Sequence, residues 1–492
     1  MSVNDDQMKV AFSDFFRVRQ KTVERYGAFD ISLVADLPLF VDPFLLFNSK
    51  RRKYRKLHDE MIEYLRFLRD KSAQQQLDPG LIHAWYVFPE VKQNWLGFSL
   101  SGNRGRGLGR KFAYALHANL GQLFKSFGEE KITKGSHLEK LCLISDGVGR
   151  DNISDFTNNL IHRFLLEFTE EFAKRHIDPR LRRQFTVGKV QFNYETETWE
   201  SGTYDLPCFQ GDYVLLTPRD ILTKDETWIN KADLIHDFQA IPDAIPNEQL
   251  RAQINNYFRK LLPRRPKRDD ERNATVKTIL QFPEIIDYFI RYKEEHGSEA
   301  ESISLAKVVL SELLYLHQFK QLPELLRQST DFYKTAGITY EEAYQRIVFF
   351  KDVIENKGGH RIFYVDGDPI EYEEDLHILY RMTWFASESD VTREANDGRG
   401  PVDFKVSKGR KDKTLVEFKL ASNTQLKRNL ERQSAMYEKA SDASRTIKVI
   451  VYFTAAEKKR VDGVLRHLKL SDNPDVVLVD ARRDNKPSGS KA

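Results

Sequence analysis

Cysteine is almost missing from the chain: Cys142 and Cys208 stand alone in 492 residues, with no C-x-x-C spacing. That excludes a disulfide framework and a thiolate zinc site, and a reducing cytoplasm is the expected compartment. Long apolar runs are missing too. The most apolar early stretch, 31–47, is interrupted by Asp36, Asp42 and two prolines and cannot cross a bilayer. The opening MSVNDDQMKV shows no apolar signal core, so no membrane partner is expected. Twelve histidines form no H-x-H or H-E-x-x-H, and G-x-S-x-G does not occur, which leaves zinc and serine hydrolase chemistry without support. An excess of one charge is also lacking. The net +4 is small for this length, so attraction for nucleic acid has to come from local clustering.

What is present describes a folded protein of two or three domains, with 30% charged and 40% hydrophobic residues. Residues 1–245 read as a mixed α/β region for sensing, targeting or oligomerisation. Helical spacing appears at 54–68 (Leu57, Met61, Leu65, Leu68) and over 156–172, and strand-like pieces at 83–89, 189–194 and 211–216. The glycine- and arginine-rich stretch 102–110 lacks the spacing of a P-loop and reads as a flexible basic turn. Asp151 or Ser154 is expected to cap the helix that follows. Residues 246–358 are helical in pattern, as where Leu305, Val308, Val309, Leu313 and Leu316 recur over 303–319, and carry a proline-broken basic segment at 263–268. Gly358-Gly359 and a short strand at 362–365 mark a boundary, and 483–492 is a polar tail.

Residues 359–482 carry the chemistry. The pattern gives a helix at 371–385, strands at 390–394, 402–406 and 414–420, a helix at 425–440, a strand at 447–453, a helix at 455–468 and a strand at 475–480. A central mixed sheet flanked by helices is expected. Asp403 falls on one strand, and Glu417 and Lys419 on the next. Alternation points Glu417 and Lys419 to one face and Phe418 to the other. A hairpin bringing Asp403 beside that pair assembles two carboxylates and a lysine, a set able to hold a hard cation.

This order and these residues resemble the core of the PD-(D/E)xK, restriction-endonuclease-like nuclease superfamily over 371–480. Pro401-Val402-Asp403 stands for P-D with one residue inserted, and Glu417-Phe418-Lys419 for (D/E)-x-K. Of the upstream acids Glu373, Glu374 and Asp375, Glu373 is favoured because it shares a helix face with Leu376 and Tyr380; Glu394 is a further candidate. Gln433 and Tyr437 fit the Q-x-x-x-Y of exonuclease-type and related defence-associated branches. The resemblance implies an αβββαβ core that hydrolyses DNA. Mg2+, with Mn2+ as substitute, would be held by Asp403, Glu417, Glu373 and the Phe418 main-chain carbonyl. Lys419 would orient or deprotonate the attacking water, and Gln433 and Tyr437 would position Lys419 or the phosphate. A large non-catalytic region fused to this fold resembles bacterial restriction and anti-phage defence enzymes. No nucleotide-hydrolysing motor is visible, so translocation would need an ATPase or another defence-system subunit, and a homo-oligomer is a further expected partner.

Between 398 and 432 ten basic residues face four acids, a net +6. Arg399, Lys408, Arg410, Lys411, Lys413, Lys427 and Arg428 are the expected backbone contacts, against the plainer alternative of a solvated charged loop. Two competing classes stand beside a DNA nuclease: a non-catalytic nucleic-acid-binding protein and a structural subunit that retain the fold. RNA stays open as substrate, since nothing in the chain reads a 2′-hydroxyl. Lys411→Ala should weaken DNA binding and flatten its dependence on salt; an unchanged salt slope in a fluorescence titration would remove that loop from the interface.

Overall fold

The computed structural model describes all residues except 1–8, 35, 74–77, 98–107, 124–126, 129, 145–148, 225, 264–265, 320, 330–337, 366, 385–389, 396–401, 409–411, 438–444 and 487–492. The first part is mixed α/β. The helix Arg52–Ala73 forms where the spacing predicts one, burying Tyr54, Met61, Ile62, Leu65 and Leu68 along one side. The run expected over 156–172 is two helices, Arg150–Leu160 and His162–His176, which part at Ile161. They pack with the antiparallel hairpin Arg182–Asn193 and Thr198–Phe209.

Three local expectations are corrected. Residues 83–89 are not a strand: Pro79–Tyr86 is a helix, started by Pro79 and by the Asp78 carboxylate that accepts from Gly80 N. Its run of apolar residues fits either period, and the cap decides. Of 211–216 only Asp212–Tyr213 joins a sheet. The helix Arg150–Leu160 starts one residue before Asp151, and Ser154 lies inside it, where its hydroxyl accepts from Val41 N at 2.9 Å. Gly149 takes the cap position, its N–H bonded to Asn152 Oδ1 at 3.0 Å. Residues 102–107 of the glycine-rich stretch lie outside the described residues.

The middle of the chain is helical as expected, with helices Glu248–Leu261, Arg268–Gln281, Glu284–Glu295 and Gly297–Glu312, the last continuing into a π-helical turn, Leu313–Gln318. Its apolar face is only partly as read. Val308 and Leu316 are buried, while Leu305, Val309 and Leu313 face outward. The inward side is built from small residues, Ala300, Ser304 and Ser311, which allow close packing that an apolarity count does not anticipate. This region is tied to the first by Glu294, whose buried carboxylate accepts from Lys134 N, Gly135 N and His137 Nε2.

The C-terminal part is a five-stranded mixed sheet. Its elements are α1 (Thr339–Asn356), α2 (Glu373–Thr383), β1 (Asp390–Ala395), β2 (Val402–Lys408), β3 (Asp412–Leu420), α3 (Leu426–Tyr437), β4 (Arg445–Tyr452), α4 (Ala455–His467) and β5 (Val476–Asp480). The spatial order is β5-β4-β3-β2-β1. β3, β4 and β5 run parallel, and β1 and β2 antiparallel to their neighbours. The strand expected at 362–365 is a correction. Gly359–Phe363 forms a 3-10 turn entered through Gly358 at φ 79°, and only Tyr364–Val365 pairs with Asp368–Pro369.

Helices cover both faces. On one, Phe418 meets Tyr380 of α2 at 4.6 Å between ring centroids and Phe350 of α1 at 6.0 Å. On the other, Leu426 and Leu430 of α3 and Val461 and Leu465 of α4 close over Ile450 and Tyr452. Among the described residues no helix is long and apolar enough to cross a membrane. Phe418 is fully buried where β3 meets two helices. Phe418→Ala should lower the free energy of unfolding by about 3–5 kcal/mol; a loss under about 1 kcal/mol in a urea titration would show that this stack is not the core of the sheet.

Candidate active site

The β2–β3 ladder pairs Leu415 with Lys405 and Val416 with Phe404. One residue further, that register sets Glu417 level with Asp403. There the Asp403 carboxylate takes over the role of a main-chain acceptor: its Oδ2 accepts from Phe418 N at 2.6 Å. Lys419, two residues beyond Glu417 and on the same face, extends Nζ to within 3.5 Å of Asp403 Oδ2 and donates to Phe418 O at 2.9 Å.

Helix α2 supplies the rest. Glu373 Oε2 lies 3.2 Å from Lys419 Nζ, and its Oε1 accepts from Leu420 N at 3.2 Å and Asn423 Nδ2 at 2.9 Å. One turn on, His377 Nε2 sits 3.1 Å from Asp403 Oδ2. The two α2 side chains therefore straddle the hairpin, one at the lysine and one at the aspartate. Glu417 is 1% exposed and stands opposite Lys448 in the β3–β4 register.

The first turn of α2 offered three acids, and two of them can be told apart. Glu373 reaches the cluster. Asp375 instead accepts from Tyr315 Oη at 2.6 Å and ties α2 to the π-helical turn. The side chain of Glu394, on β1, lies outside the described residues, as do those of Lys408 at the end of β2 and of Gln433 and Tyr437 on α3. Arg399, Arg410 and Lys411 fall outside the described residues altogether. Lys413 is half-buried on β3. Lys427 and Arg428 are exposed on α3, 3.8 Å from Glu431 and 3.3 Å from Gln425 respectively. Sequence reasoning did not find His377, Asn423 or Lys448. His377 had a signal, its i+4 spacing from Glu373 on one helix face.

Charge sets the behaviour of the site. Burial pushes the Asp403 carboxyl up, but His377, Lys419 and the Phe418 N–H outweigh it and hold the group at about 2. Burial acts against the Lys419 ammonium, and the carboxyls of Asp403, Glu373 and Glu417 overcome it, raising its pKa above the ordinary lysine value. Lys419 is thus a fixed cation near neutral pH. It can orient a water or offset charge on a phosphoryl group, and is poorly suited to take a proton.

Among the described residues no three His, Cys, Asp or Glu side chains converge as a ready-made metal site. The donor chemistry still suits Mg2+, which takes one or two carboxylates and fills its remaining positions with water and phosphate oxygens. Asp403, Glu417 and the Phe418 carbonyl, which now accepts from Lys419 Nζ, are the oxygen donors that such an ion would use.

Residues 17–230 match a domain of unknown function (DUF8370), and residues 339–455 match a second domain of unknown function (DUF8371). The second match begins at the start of α1 and spans Glu373, Asp403, Glu417 and Lys419. No curated protein and no solved structure matches the chain.

Acid should expose the Asp403 interactions. The carboxyl titrates near its ordinary value of 3.8 when unfolded and at about 2 in the fold. Its lowered pKa adds stability above the unfolded value, lost as pH falls through the folded one, and worth about 2 kcal/mol. The stability advantage of wild type over Asp403→Asn should therefore shrink between about pH 5 and about pH 2. A constant difference in denaturant melts across that window would contradict the assignment.

Proposed function

We propose that the C-terminal sheet domain is a metal-dependent nuclease of the PD-(D/E)xK kind, hydrolysing DNA phosphodiester bonds. The observation that carries this reading is the convergence of Glu373, Asp403 and Lys419, from a helix and a hairpin far apart in sequence, onto one buried cluster. The order αβββαβ and the mixed sheet support it.

Each residue then has a role set by its contacts. Asp403, oriented by the Phe418 amide and His377, holds a cation. Glu417, beside it on the same face, is the second carboxylate. Lys419 offsets negative charge on the phosphate or orients the attacking water, and Glu373 fixes its ammonium through the 3.2 Å ion pair. Mg2+ or Mn2+, when bound, supplies Lewis acidity at the phosphate. Gln433 and Tyr437, which follow Lys419 in sequence, would position Lys419 or the phosphate.

The near absence of cysteine suits a cytoplasmic enzyme, and the large N-terminal part suits a bacterial restriction or anti-phage role, with an ATPase subunit or a second copy as partners. One observation favours a second reading. Asp403 Oδ2 already faces three donors, so the cluster partly neutralises itself, as in a structural subunit or a non-catalytic nucleic-acid-binding protein.

Cleavage decides between them. Supercoiled, linear and single-stranded DNA should be cut with Mg2+ or Mn2+ and not with EDTA. Asp403→Ala, Glu417→Ala and Lys419→Ala should each reduce cutting by about a hundredfold or more, with circular dichroism confirming that each variant is folded. Cutting retained in all three would sink the site assignment.

A further inference from the structure

The densest positive charge in the sequence lies in the N-terminal part, outside the C-terminal domain. Six of the seven residues 50–56 are basic, and no acid occurs between Asp42 and Asp59. All six, Lys50, Arg51, Arg52, Lys53, Arg55 and Lys56, are exposed, at and just before the start of the helix Arg52–Ala73.

This placement opposes the helix. The amino end of a helix favours acids, yet the first turn here has none. The acids Asp59, Glu60 and Glu63 come later, and Lys56 pairs with Glu60 at 3.4 Å in the less favourable i,i+4 order. Helix stability therefore does not account for the cluster. Three of the cations are engaged elsewhere: Arg51 with Asp220 at 2.9 Å, Lys56 with Glu60, and Lys53 over the Phe164 ring at 4.5 Å. Lys50, Arg52 and Arg55 make no ion pair among the described residues. Tyr54, 4% exposed and hydrogen-bonded to Asp220 at 2.9 Å, pins the segment so that the cations are displayed from a fixed base.

We propose that this patch is a docking surface for the phosphodiester backbone of duplex DNA, carried by the N-terminal part and separate from the C-terminal cluster. The ligand class follows from what the patch offers. It presents ammonium and guanidinium groups that read phosphates. Its only aromatic, Tyr54, is buried, so no ring is available to stack the bases of a single strand. Membrane insertion would need an exposed apolar face on this helix, and that face, with Met61, Ile62, Leu65 and Leu68, is in the core. The helical part, 52–56, rises roughly 6 Å along the axis, and Lys50 and Arg51 lengthen the row to about three phosphate steps of one strand. DNA as the substrate rests on the nuclease reading above; the patch itself does not.

The test is binding by the full chain in EDTA, so that nothing is cut, using a labelled duplex of about 30 base pairs and a series of salt concentrations. Replacing the three unpaired cations together, Lys50→Gln, Arg52→Gln and Arg55→Gln, should lower affinity at least about tenfold and reduce the slope of log K against log salt by about 2.7. The thermal midpoint should hold or rise, because the removed charges oppose the helix dipole. Wild type that cuts DNA in a parallel assay with Mg2+, while the triple variant keeps the same slope in EDTA, would overturn the patch and leave the nuclease reading intact. Loss of duplex binding in the variant, when wild type binds but never cuts, would support the patch and overturn the nuclease. Loss of binding to phosphatidylserine vesicles with duplex binding unchanged would assign the patch to a membrane and overturn the proposal.

Discussion

An ammonium inside a protein must be matched by carboxylates, and at Lys419 that requirement organises the C-terminal domain. Its Nζ lies within reach of Glu373 and Asp403, and Glu417 adds to the same field. To satisfy it, α2 has to lie across the ends of β2 and β3, which also lays Tyr380 on Phe418. Breaking such a pair from one side leaves an uncompensated buried charge and costs far more than the pair itself contributes. The apolar stack and the charged cluster on opposite faces of β3 are therefore consequences of one register. A slip of one residue would put Phe418 among the carboxylates and Lys419 in the core.

The same device docks the other parts of the chain. Glu294 closes on two main-chain amides and His137, and holds the helical region against the N-terminal part. Asp42 accepts from Phe44 N and Trp228 N, joining segments 186 residues apart; burial raises it to about 6, against the pull of those two bonds. Asp375 takes the Tyr315 hydroxyl and links α2 to the helical region. α2 thus connects the candidate site to the body of the protein through Asp375 and through Arg381, whose Nε donates to Val34 O at 3.2 Å, and to the hairpin through Glu373 and His377.

The sheet domain was legible because its strands are short, apolar and bounded by turns, and its helices carry clear 3.6-residue spacing. Every expected strand from 390 onward forms, and Asp403, Glu417 and Lys419 meet as alternation requires. Legibility failed where two periods fit equally well, as at 83–89, where Asp78 and Pro79 impose a helix. It failed again where packing depends on small residues, as around Ser304 and Ser311, which leaves Leu305 and Val309 outside. Within the site, Glu373 could be chosen from its helix face. Asn423 could not, because a loop residue shows its direction only once both flanking elements are placed. Lys448 was hidden for a related reason: a lysine in an apolar strand gains meaning only from the register that sets it opposite Glu417.

The charge balance of the cluster bears on which reading it serves. Three carboxyl groups, from Glu373, Asp403 and Glu417, share the cluster with the ammonium groups of Lys419 and Lys448 and the imidazole of His377, every one of them largely shielded from water. A purely structural network gains most from complete neutrality, since surplus buried charge carries a desolvation penalty with no Coulombic return. A surplus of negative charge at the ends of two strands is instead what a divalent cation removes on binding. With His377 and Lys419 beside it, Asp403 stays ionised down to about 2, so its own charge is present at every physiological pH. The hydrogen bonds to Asp403 Oδ2 fix its direction. The donors that orient Asp403 also offset part of its charge, so on the nuclease reading proposed above a divalent cation would meet an oriented carboxylate rather than a bare one.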